Sequence, residues 1–347
     1  MKKTFSLLLA LLLTAAALLP LSACTRKNGG DAAGTAASTE PGTDLPDDKT
    51  VIRVAVLNGT TGFGIAPLYD DIQSGRTEKI ADISFYSDAS LIPPMIVSGS
   101  VDIAAVPTNL APVLYNKTEG KIFVLAVNTL GVLYLLENGT TVSSLAGLAG
   151  KTVYVPGAGS NPEFVLRALL AKAGLSDKVT VDTGTYGTPD ALTAAAASGL
   201  APLALLPEPK VTAAMMQNTA LRVALDVSAE WKTLTGTELT QGCLIARSDF
   251  VCEHPNRVYE FLAEYEKSVA AVNADPAAAA GQIVSAGLAP KAALVTNALP
   301  RCNITYLTED TMKAALNAYW KALFDVLPSS VGGKLPDENI FLPVLYG

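Results

Sequence analysis

From position 51 onward, short aliphatic and β-branched runs alternate with stretches whose apolar positions recur at helical spacing. That rhythm predicts an α/β fold with mixed, largely parallel sheets. Strands are expected over 51–57, 80–86, 101–106, 122–127, 132–136, 152–155, 179–181, 203–206, 222–225 and 243–246. Helices are expected over 90–98, 109–116, 162–173, 189–198 and 209–217. After Phe250 the strand pattern stops and a helical C-terminal part takes over. There Val258, Phe261, Leu262, Tyr265, Val269 and Val272 recur on one helical face, as do Met312, Ala315, Leu316, Tyr319, Trp320, Leu323 and Phe324. Both stripes read as core-facing. No repeat of 20–50 residues is visible.

The pattern breaks where the strands over 122–127 and 132–136 follow one another across Asn128-Thr129-Leu130-Gly131 with no helix between them. This is where the chain is expected to cross from one lobe to another, returning between Asp226 and Gln241. The first lobe then comprises 51–129 and 241–347, and the second is a continuous insert, 130–240. A cleft beyond the carboxyl ends of the strands is the expected ligand site.

Ahead of this folded part, residues 1–23 read as an export signal: Lys2 and Lys3, then an apolar run broken by Ser6, Thr14 and Pro20. Leu21-Ser22-Ala23-Cys24 matches the bacterial lipobox, which predicts cleavage before Cys24 and its diacylation, a palmitate-type anchor. Two acyl chains hold a membrane stably where one does not. From 25 to 50 the chain is rich in Gly, Ala, Ser, Thr and Asp without periodicity, a flexible tether able to reach about 90 Å when extended.

The chain has 347 residues, 25 Lys plus Arg against 32 Asp plus Glu, and a formal charge of −7. Such a surface does not neutralise phosphates, which argues against nucleic acid and leaves the lipid as the sole expected membrane contact. Hydrophobic residues make up 50% and charged residues 16%, ample for a buried core. With one His and four Cys, there is little from which to build a metal cluster or a His-based catalytic relay. No catalytic residue, metal or cofactor is expected.

Two phosphate-loop look-alikes fail on inspection. Gly150-Lys151-Thr152 precedes a strand, whereas a P-loop Lys opens a helix. Gly157-Ala158-Gly159 has Pro162 at its third glycine position. The latter turn still has content, with Asn161 at an expected N-cap and Pro162 at the first helical position. Free N–H groups of Gly159, Ser160 and Asn161 at the positive end of a helix would favour a small anion or a polar oxygen. Asn58-Gly59-Thr60-Thr61-Gly62-Phe63-Gly64 is a similar turn after the first strand, and Pro107-Thr108-Asn109 another after the third.

Ser90, opening the helix after the second strand, and Asn128, following the fourth, extend the candidate ligand set. Glu208, between Pro207 and Pro209, is either a ligand-facing carboxylate or an exposed helix start. His254 reads as a solvated neighbour of a helix start. With Cys24 acylated, Cys243, Cys252 and Cys302 remain; Cys243–Cys302 is the preferred disulfide, a strand Cys meeting a loop Cys across the first lobe.

These residues resemble a known family. Ala66-Pro67-Leu68, the stretch Pro94-Met95-Ile96-Val97-Ser98-Gly99-Ser100-Val101-Asp102-Ile103-Ala104, and Ser144-Leu145-Ala146-Gly147-Leu148-Ala149-Gly150-Lys151-Thr152-Val153 with its following turn are similar to substrate-binding lipoproteins of ABC importers. The branch is the one that includes nitrate, sulfonate, taurine and thiamine-precursor binders. Pro300-Arg301-Cys302-Asn303-Ile304 and Gly332-Gly333-Lys334-Leu335-Pro336 resemble Gram-positive members.

The resemblance implies a two-lobed, type II periplasmic-binding-protein-like fold closing over a small organic ligand, anionic or heteroaromatic. It implies delivery to a permease and its ATPase from a lipid-anchored, extracytoplasmic position on the outer face of a bacterial cell membrane. Carried across, Asn58, Thr60, Thr61, Thr108, Asn109, Gly159, Ser160 and Asn161 would touch ligand. Pro207 stands where many members have an aromatic, so Phe63 or Tyr186 would supply a stacking wall. No Arg lies in these turns, which weighs against a fully ionised sulfonate or nitrate. The alternatives are an enzyme on the same scaffold, of the pyrimidine-synthesis or menaquinone-pathway kind, and a sensor ectodomain.

Overall fold

Eleven strands among the described residues form two sheets. They are β1 (Ile52–Leu57), β2 (Ala81–Tyr86), β3 (Ile103–Pro107), β4 (Ile122–Leu130), β5 (Leu133–Asn138), β6 (Thr152–Tyr154), β7 (Thr180–Asp182), β8 (Leu203–Pro207), β9 (Leu221–Asp226), β10 (Thr240–Arg247) and β11 (Ile304–Leu307). The computed structural model describes residues 48–342, within one compact unit, Asp44–Gly347. The expected signal, Cys24 and all but the last residues of the tether lie outside the described residues. No helix among the described residues is long and apolar enough to cross a membrane.

The six-stranded sheet has the order β11-β4-β10-β3-β1-β2, and the five-stranded sheet β7-β6-β8-β5-β9. In the first, β1 is parallel to β2 and β3, while β10 lies antiparallel between β3 and β4. In the second, β6 runs parallel to β7 and β8, and β5 runs against β8 and β9. Only Gly131 and Val132 separate β4 from β5, a reach of about 10 Å at most. The edge where β1 to β4 end therefore abuts the edge where β6 to β9 end. Both sets of carboxyl termini open on one gap.

Alternation along the strands builds the core on both faces of the six-stranded sheet. Val54, Val56, Ile103, Ala105, Leu244 and Ala246 meet Phe63, Phe261 and Tyr265 on one face. Ala55, Ala104, Val106, Cys243 and Ile245 meet Leu114, Leu316 and Trp320 on the other, in a cluster that continues into Leu133, Leu135 and Leu205 of the second sheet. The helix Glu309–Val326 joins the two sheets by packing on the helix Asn161–Lys172.

Several elements depart from the sequence expectation, the helical turn Thr60–Phe63 among them. β11 occurs where strands had been expected to end; it is four residues long and pairs irregularly with β4 at the sheet edge, too short for a periodic signal. The helices Ala66–Gln73 and Val227–Thr235 were not anticipated. The second starts at Asp226, whose carboxylate accepts from the N–H groups of Ser228 (2.8 Å) and Ala229 (3.2 Å), a cap hidden inside an apolar-looking run.

The Cys243–Cys302 disulfide is a correction. Both are buried free thiols. Strand alternation sends Cys243 into the apolar layer on one face of the sheet, whereas Cys302 belongs to the layer on the opposite face. Burial pushes both thiols up in pKa.

The Ser-Gly-x-x-Asp element proves structural. Asp102 is buried and takes the Arg53 backbone N–H (2.9 Å), its Nε (2.9 Å) and Nη2 (2.5 Å), with Arg247 Nη1 at 3.4 Å. Gly99 has φ +72°, and a Cβ there would lie 2.7 Å from Arg247 Nη1. The motif thus ties β1, β3 and β10 together.

Glu137 plays a similar part in the second sheet. Burial alone would raise its pKa, but the Thr141 hydroxyl, the N–H groups of Val142 (3.2 Å) and Thr141 (3.0 Å) and the Arg222 charge outweigh it and hold the carboxyl low. A lowered folded-state value means the contribution is full above the ordinary carboxylate range, about pH 4.3, and drains away as pH falls through the folded value. Glu137→Gln should lower urea stability by roughly 2 kcal/mol at pH 7. The gap to wild type should shrink toward pH 3; a constant gap would refute this account. For the cysteines, iodoacetamide should leave Cys243 and Cys302 unmodified in the folded chain and label both in urea. Peptide mapping that finds them linked would overturn the free-thiol assignment.

Candidate functional site

The gap between the two sheets is lined by the turns that leave the strand ends. From the first sheet come Asn58 after β1, the short helix Thr60–Phe63, Thr108 after β3 and Gln241 of β10. From the second come Ser160 and Asn161 at the start of the helix Asn161–Lys172, and Glu208 after β8.

Two of the expected ligand residues keep unpartnered polar atoms. Asn58 Oδ1 and Ser160 Oγ are both buried with no hydrogen-bond partner among the described residues. Asn58 leaves β1 beside β3, and the N–H of Thr108, at the end of β3, donates to Gln241 O at 3.1 Å. The Gln241 side chain accepts from Asn161 Nδ2 at 3.1 Å. Asn161 neighbours Ser160, so a chain of hydrogen bonds runs from the end of β3, beside Asn58, to the turn that carries Ser160. A buried polar atom without a partner costs roughly 1–3 kcal/mol, a cost a bound molecule would relieve.

The helix start is shifted by one residue from expectation: Ser160, with extended backbone (φ −88°, ψ 156°), is the N-cap, and Asn161 is the first helical residue. Its hydroxyl does not cap the helix. Gly159 N–H, expected to serve an anion, instead donates to Glu163 Oε2 at 2.7 Å.

Most other candidates are consumed by structure. Asn128 Nδ2 donates to Thr61 O (3.0 Å) and the Tyr265 hydroxyl (3.1 Å), and its Oδ1 accepts from Thr129 (3.2 Å). Thr60 and Thr61 are buried, and Thr60 O accepts from Thr129 Oγ1 at 3.4 Å. Gly242 lets this turn close in, for a Cβ there would lie 2.5 Å from Asn128 Oδ1 and 3.1 Å from Thr61 Cγ2. Thr108 donates from Oγ1 to Thr240 O (3.1 Å), and its carbonyl accepts from Trp320 Nε1 (2.9 Å). Asn109 points to Ser330 O at 3.4 Å. Ser90 is exposed, its N–H bonded to Asp88.

Of the two proposed aromatic walls, Phe63 is closed off and Tyr186 stays half-buried. Phe63 is fully buried in the core of the first sheet, because the turn carrying it folds inward as a helical turn. Tyr186 packs edge-on against Tyr154 (5.3 Å) and donates to Leu200 O (3.4 Å), joined to the cluster that covers the second sheet. His254 holds Asp48 at 2.8 Å and lies against the Phe250 ring.

Glu208 is neither exposed nor free. Its carboxylate is 2% exposed and accepts from Thr212 N–H (3.1 Å), Thr212 Oγ1 (2.9 Å) and Arg301 Nε (2.5 Å). Arg301 Nη2 also donates to Thr212 Oγ1 at 2.7 Å. This cation comes from the segment before β11, so an ion pair joins the side of the first sheet to that of the second. Tyr134 of β5 donates to Arg301 O (3.0 Å), and Asn303 Nδ2 to Gly131 O (2.6 Å). On the opposite flank the Tyr319 hydroxyl donates to Asn161 Oδ1. Burial raises the Tyr134 and Tyr319 phenols, so both remain donors.

Sequence reasoning missed Arg301, Gln241, Tyr134, Asn303 and Tyr319. Arg301 and Asn303 were visible only as part of the Pro300–Ile304 resemblance, and Tyr319 only as a member of an apolar stripe. A small cavity of about 230 Å³ lies beside Asn303, lined also by Val272, Asn273, Pro276, Leu299, Pro300 and Ile304.

Solved structures share this architecture. An ABC transporter protein from Parabacteroides distasonis is 24% identical over 86% of this chain and 100% of its own, with a TM-score of 0.72. The periplasmic aliphatic sulphonate binding protein SsuA from Escherichia coli is 17% identical over 82% of this chain and 96% of its own, TM-score 0.66. The ligand binding component of an ABC-type import system from Staphylococcus aureus, with zinc bound, is 13% identical over 85% and 97%, TM-score 0.63. The fold is that of periplasmic binding proteins. No curated protein matches the sequence. The family model described as NMT1/THI5 like matches residues 81–279, more than half of the chain. The chain belongs to the NMT1/THI5-like family.

Proposed function

We propose that this protein is the extracytoplasmic solute-binding component of an ABC importer. It captures a small organic molecule between lobes 51–129 plus 241–347 and 130–240, and presents it to a permease driven by an ATPase. The observation that carries this is the meeting of the carboxyl ends of β1–β4 with those of β6–β9, in the fold of periplasmic binding proteins. Family membership and the binding proteins among the structural relatives support it. Cys24, acylated, would hold the chain to the outer face of the membrane, with the tether supplying reach.

The site residues are suited to holding rather than transforming. Ser160 Oγ has no base within hydrogen-bond distance, and the amides of Asn161 and Gln241 hold each other. Closure would draw on polar groups that bond from one proposed lobe to the other: Glu208 with Arg301, Asn161 with Gln241 and Tyr319. A ligand touching both walls adds to these contacts and shifts the population toward the closed form, the form a permease would read.

Native mass spectrometry of the full chain, purified in detergent without denaturation and then offered a small-metabolite mixture, tests the reading. A discrete non-covalent added mass, lost on unfolding, is expected. Chemical conversion of the bound molecule would replace it with the enzymatic alternative. A second expectation concerns closure. Arg301→Met leaves Glu208 without its counter-ion only in the closed form, favouring opening by about 2 kcal/mol, or about 30-fold, after allowing for the half-exposed arginine. Small-angle scattering of the ligand-free variant should report a larger radius of gyration than wild type. An unchanged profile would dismiss the ion pair as a latch.

A further inference from the structure

We infer that Asn138-Gly139 is a site of covalent self-modification. The pair closes to a succinimide, sheds ammonia and opens to aspartate or isoaspartate, whereas the same dipeptide at Asn58-Gly59 stays intact. The inference goes beyond the solute-binding reading above and does not depend on it.

The chain writes Asn-Gly-Thr-Thr twice, over 58–61 and 138–141. Glycine after asparagine leaves the next backbone nitrogen unhindered, because no Cβ shields its approach to the side-chain carbonyl. With the same residues following, the two pairs share their intrinsic reactivity, so a difference between them is imposed by the fold. The first copy is closed in. Asn58 N–H donates to Tyr86 O at 2.8 Å, Gly59 O accepts from Gly62 N–H at 2.9 Å, and Thr60 and Thr61 are buried. Asn58 Oδ1 is itself shut away from water. Swinging that side chain onto the Gly59 nitrogen would unpack the turn. The second copy is open: Asn138, Gly139 and Thr140 are all exposed where β5 ends. The Asn138 side chain makes no hydrogen bond among the described residues, and the Gly139 N–H has no backbone acceptor there.

In the reaction the Gly139 nitrogen attacks Asn138 Cγ and forms the new N–C bond. The Cγ–Nδ2 bond breaks, and the amide leaves as ammonia, taking up the Gly139 amide proton. Water then opens the ring. Attack at Cγ gives aspartate. Attack at the Asn138 main-chain carbonyl carbon gives isoaspartate, in which the main chain runs through Cβ and Cγ and is one carbon longer. Either way an uncharged amide becomes a carboxylate.

The position matters because Arg222 is tied to the same turn. Its Nε donates to Gly139 O (2.7 Å) and its Nη2 to Val142 O (2.6 Å), while it supplies the counter-charge of the buried Glu137. Glu137 and Arg222 face each other across β5 and β9. A lengthened main chain displaces Gly139 O, and a new carboxylate at 138 competes with Glu137 for the guanidinium. A buried carboxylate that loses its counter-ion destabilises the fold around it. Conversion at Asn138 therefore loosens the pairing of β5 with β9.

Peptide mapping of the full chain in detergent tests this after incubation in mildly alkaline buffer, one sample folded and one in urea. Cleavage after Lys and Arg separates 28–49, 54–76 and 122–151, so each Asn-Gly pair is read alone. Asn28-Gly29, outside the described residues, serves as the reference. In the folded sample Asn138 should convert at least about tenfold faster than Asn58, whose reaction waits on local opening. Isoaspartate should be detected in 122–151 by labelling with an isoaspartyl methyltransferase. In urea the two sites should convert at equal rates. Asn58 keeping pace with Asn138 in the folded sample, or Asn138 surviving there while Asn28 converts, would overturn the inference. Unequal rates in urea would remove the fold as the cause. The consequence is read separately, from urea midpoints. That of incubated wild type should fall, while Asn138→Gln should match fresh wild type before and after incubation, because the longer glutamine side chain closes only slowly onto the next nitrogen. Converted wild type with an unchanged midpoint would dismiss the link to Arg222.

Discussion

A carboxylate shut away from water must be given a cation, and for Glu208 that cation is Arg301, from the far side of the cleft. Leaving such a charge buried and uncompensated costs several kcal/mol. The fold therefore cannot hold Glu208 dry unless the segment 299–303 lies over the start of the helix Lys210–Gln217. That requirement places the two sheets edge to edge, and the rest of the cleft takes its shape from it. Tyr134 and Asn303 reinforce the same seam by bonding to Arg301 O and Gly131 O. The two-residue link between β4 and β5 crosses within it.

The opposite flank is held differently. Tyr319 lies on a helix that packs on the first sheet and on the helix Asn161–Lys172, and its hydroxyl reaches Asn161, which reaches Gln241. These are neutral hydrogen bonds, individually worth about 1 kcal/mol and readily exchanged for water when the lobes separate. One seam is ionic and the other is not, so they respond differently to solvent. In the proposed opening, Glu208 would be hydrated and Arg301 freed, whereas the Asn161 side would lose little. A closed form assembled from modest terms of this kind is one a small ligand can stabilise measurably, because its own contribution is comparable to what holds the lobes together.

The frame was far more legible than the site. All ten expected strands occur within a few residues, because a strand buried on both faces writes itself as a continuous apolar run whatever lies above it. The absence of a helix between β4 and β5 was readable too, as a local signal, whereas between β9 and β10 the chain forms the helix Val227–Thr235 that the sequence did not announce. β11 was not readable, since four residues at an edge leave no period. The cleft partnerships were invisible because they are non-local: Arg301 and Glu208 are 93 residues apart, Asn161 and Tyr319 are 158 apart. Composition near Glu208 predicted either exposure or a ligand contact. The burial that decides otherwise comes from a segment the local sequence knows nothing of. Phe63 failed for a related reason, because a glycine-rich turn reads as open while here it folds inward as helix.

The turns expected to bind ligand divide into groups the fold has used and groups it has left over. Asn128, Thr108, Asn109 and Asn161 have their side-chain polar atoms engaged, and Gly159 has spent its N–H on Glu163. Each holds a turn at a fixed place, so these residues shape the cavity without reading its contents. What remains without a hydrogen-bond partner among the described residues is Asn58 Oδ1 and Ser160 Oγ, so any reading of a solute by these turns would fall to them. A polar residue at a strand end is therefore ambiguous in sequence, since building a turn and reading a ligand call for the same side chains. The two roles separate only when every donor and acceptor has been assigned a partner. The shared motifs behave accordingly. Asp102 and Gly99 lock β1, β3 and β10, so the signature by which the family is recognised belongs to the frame.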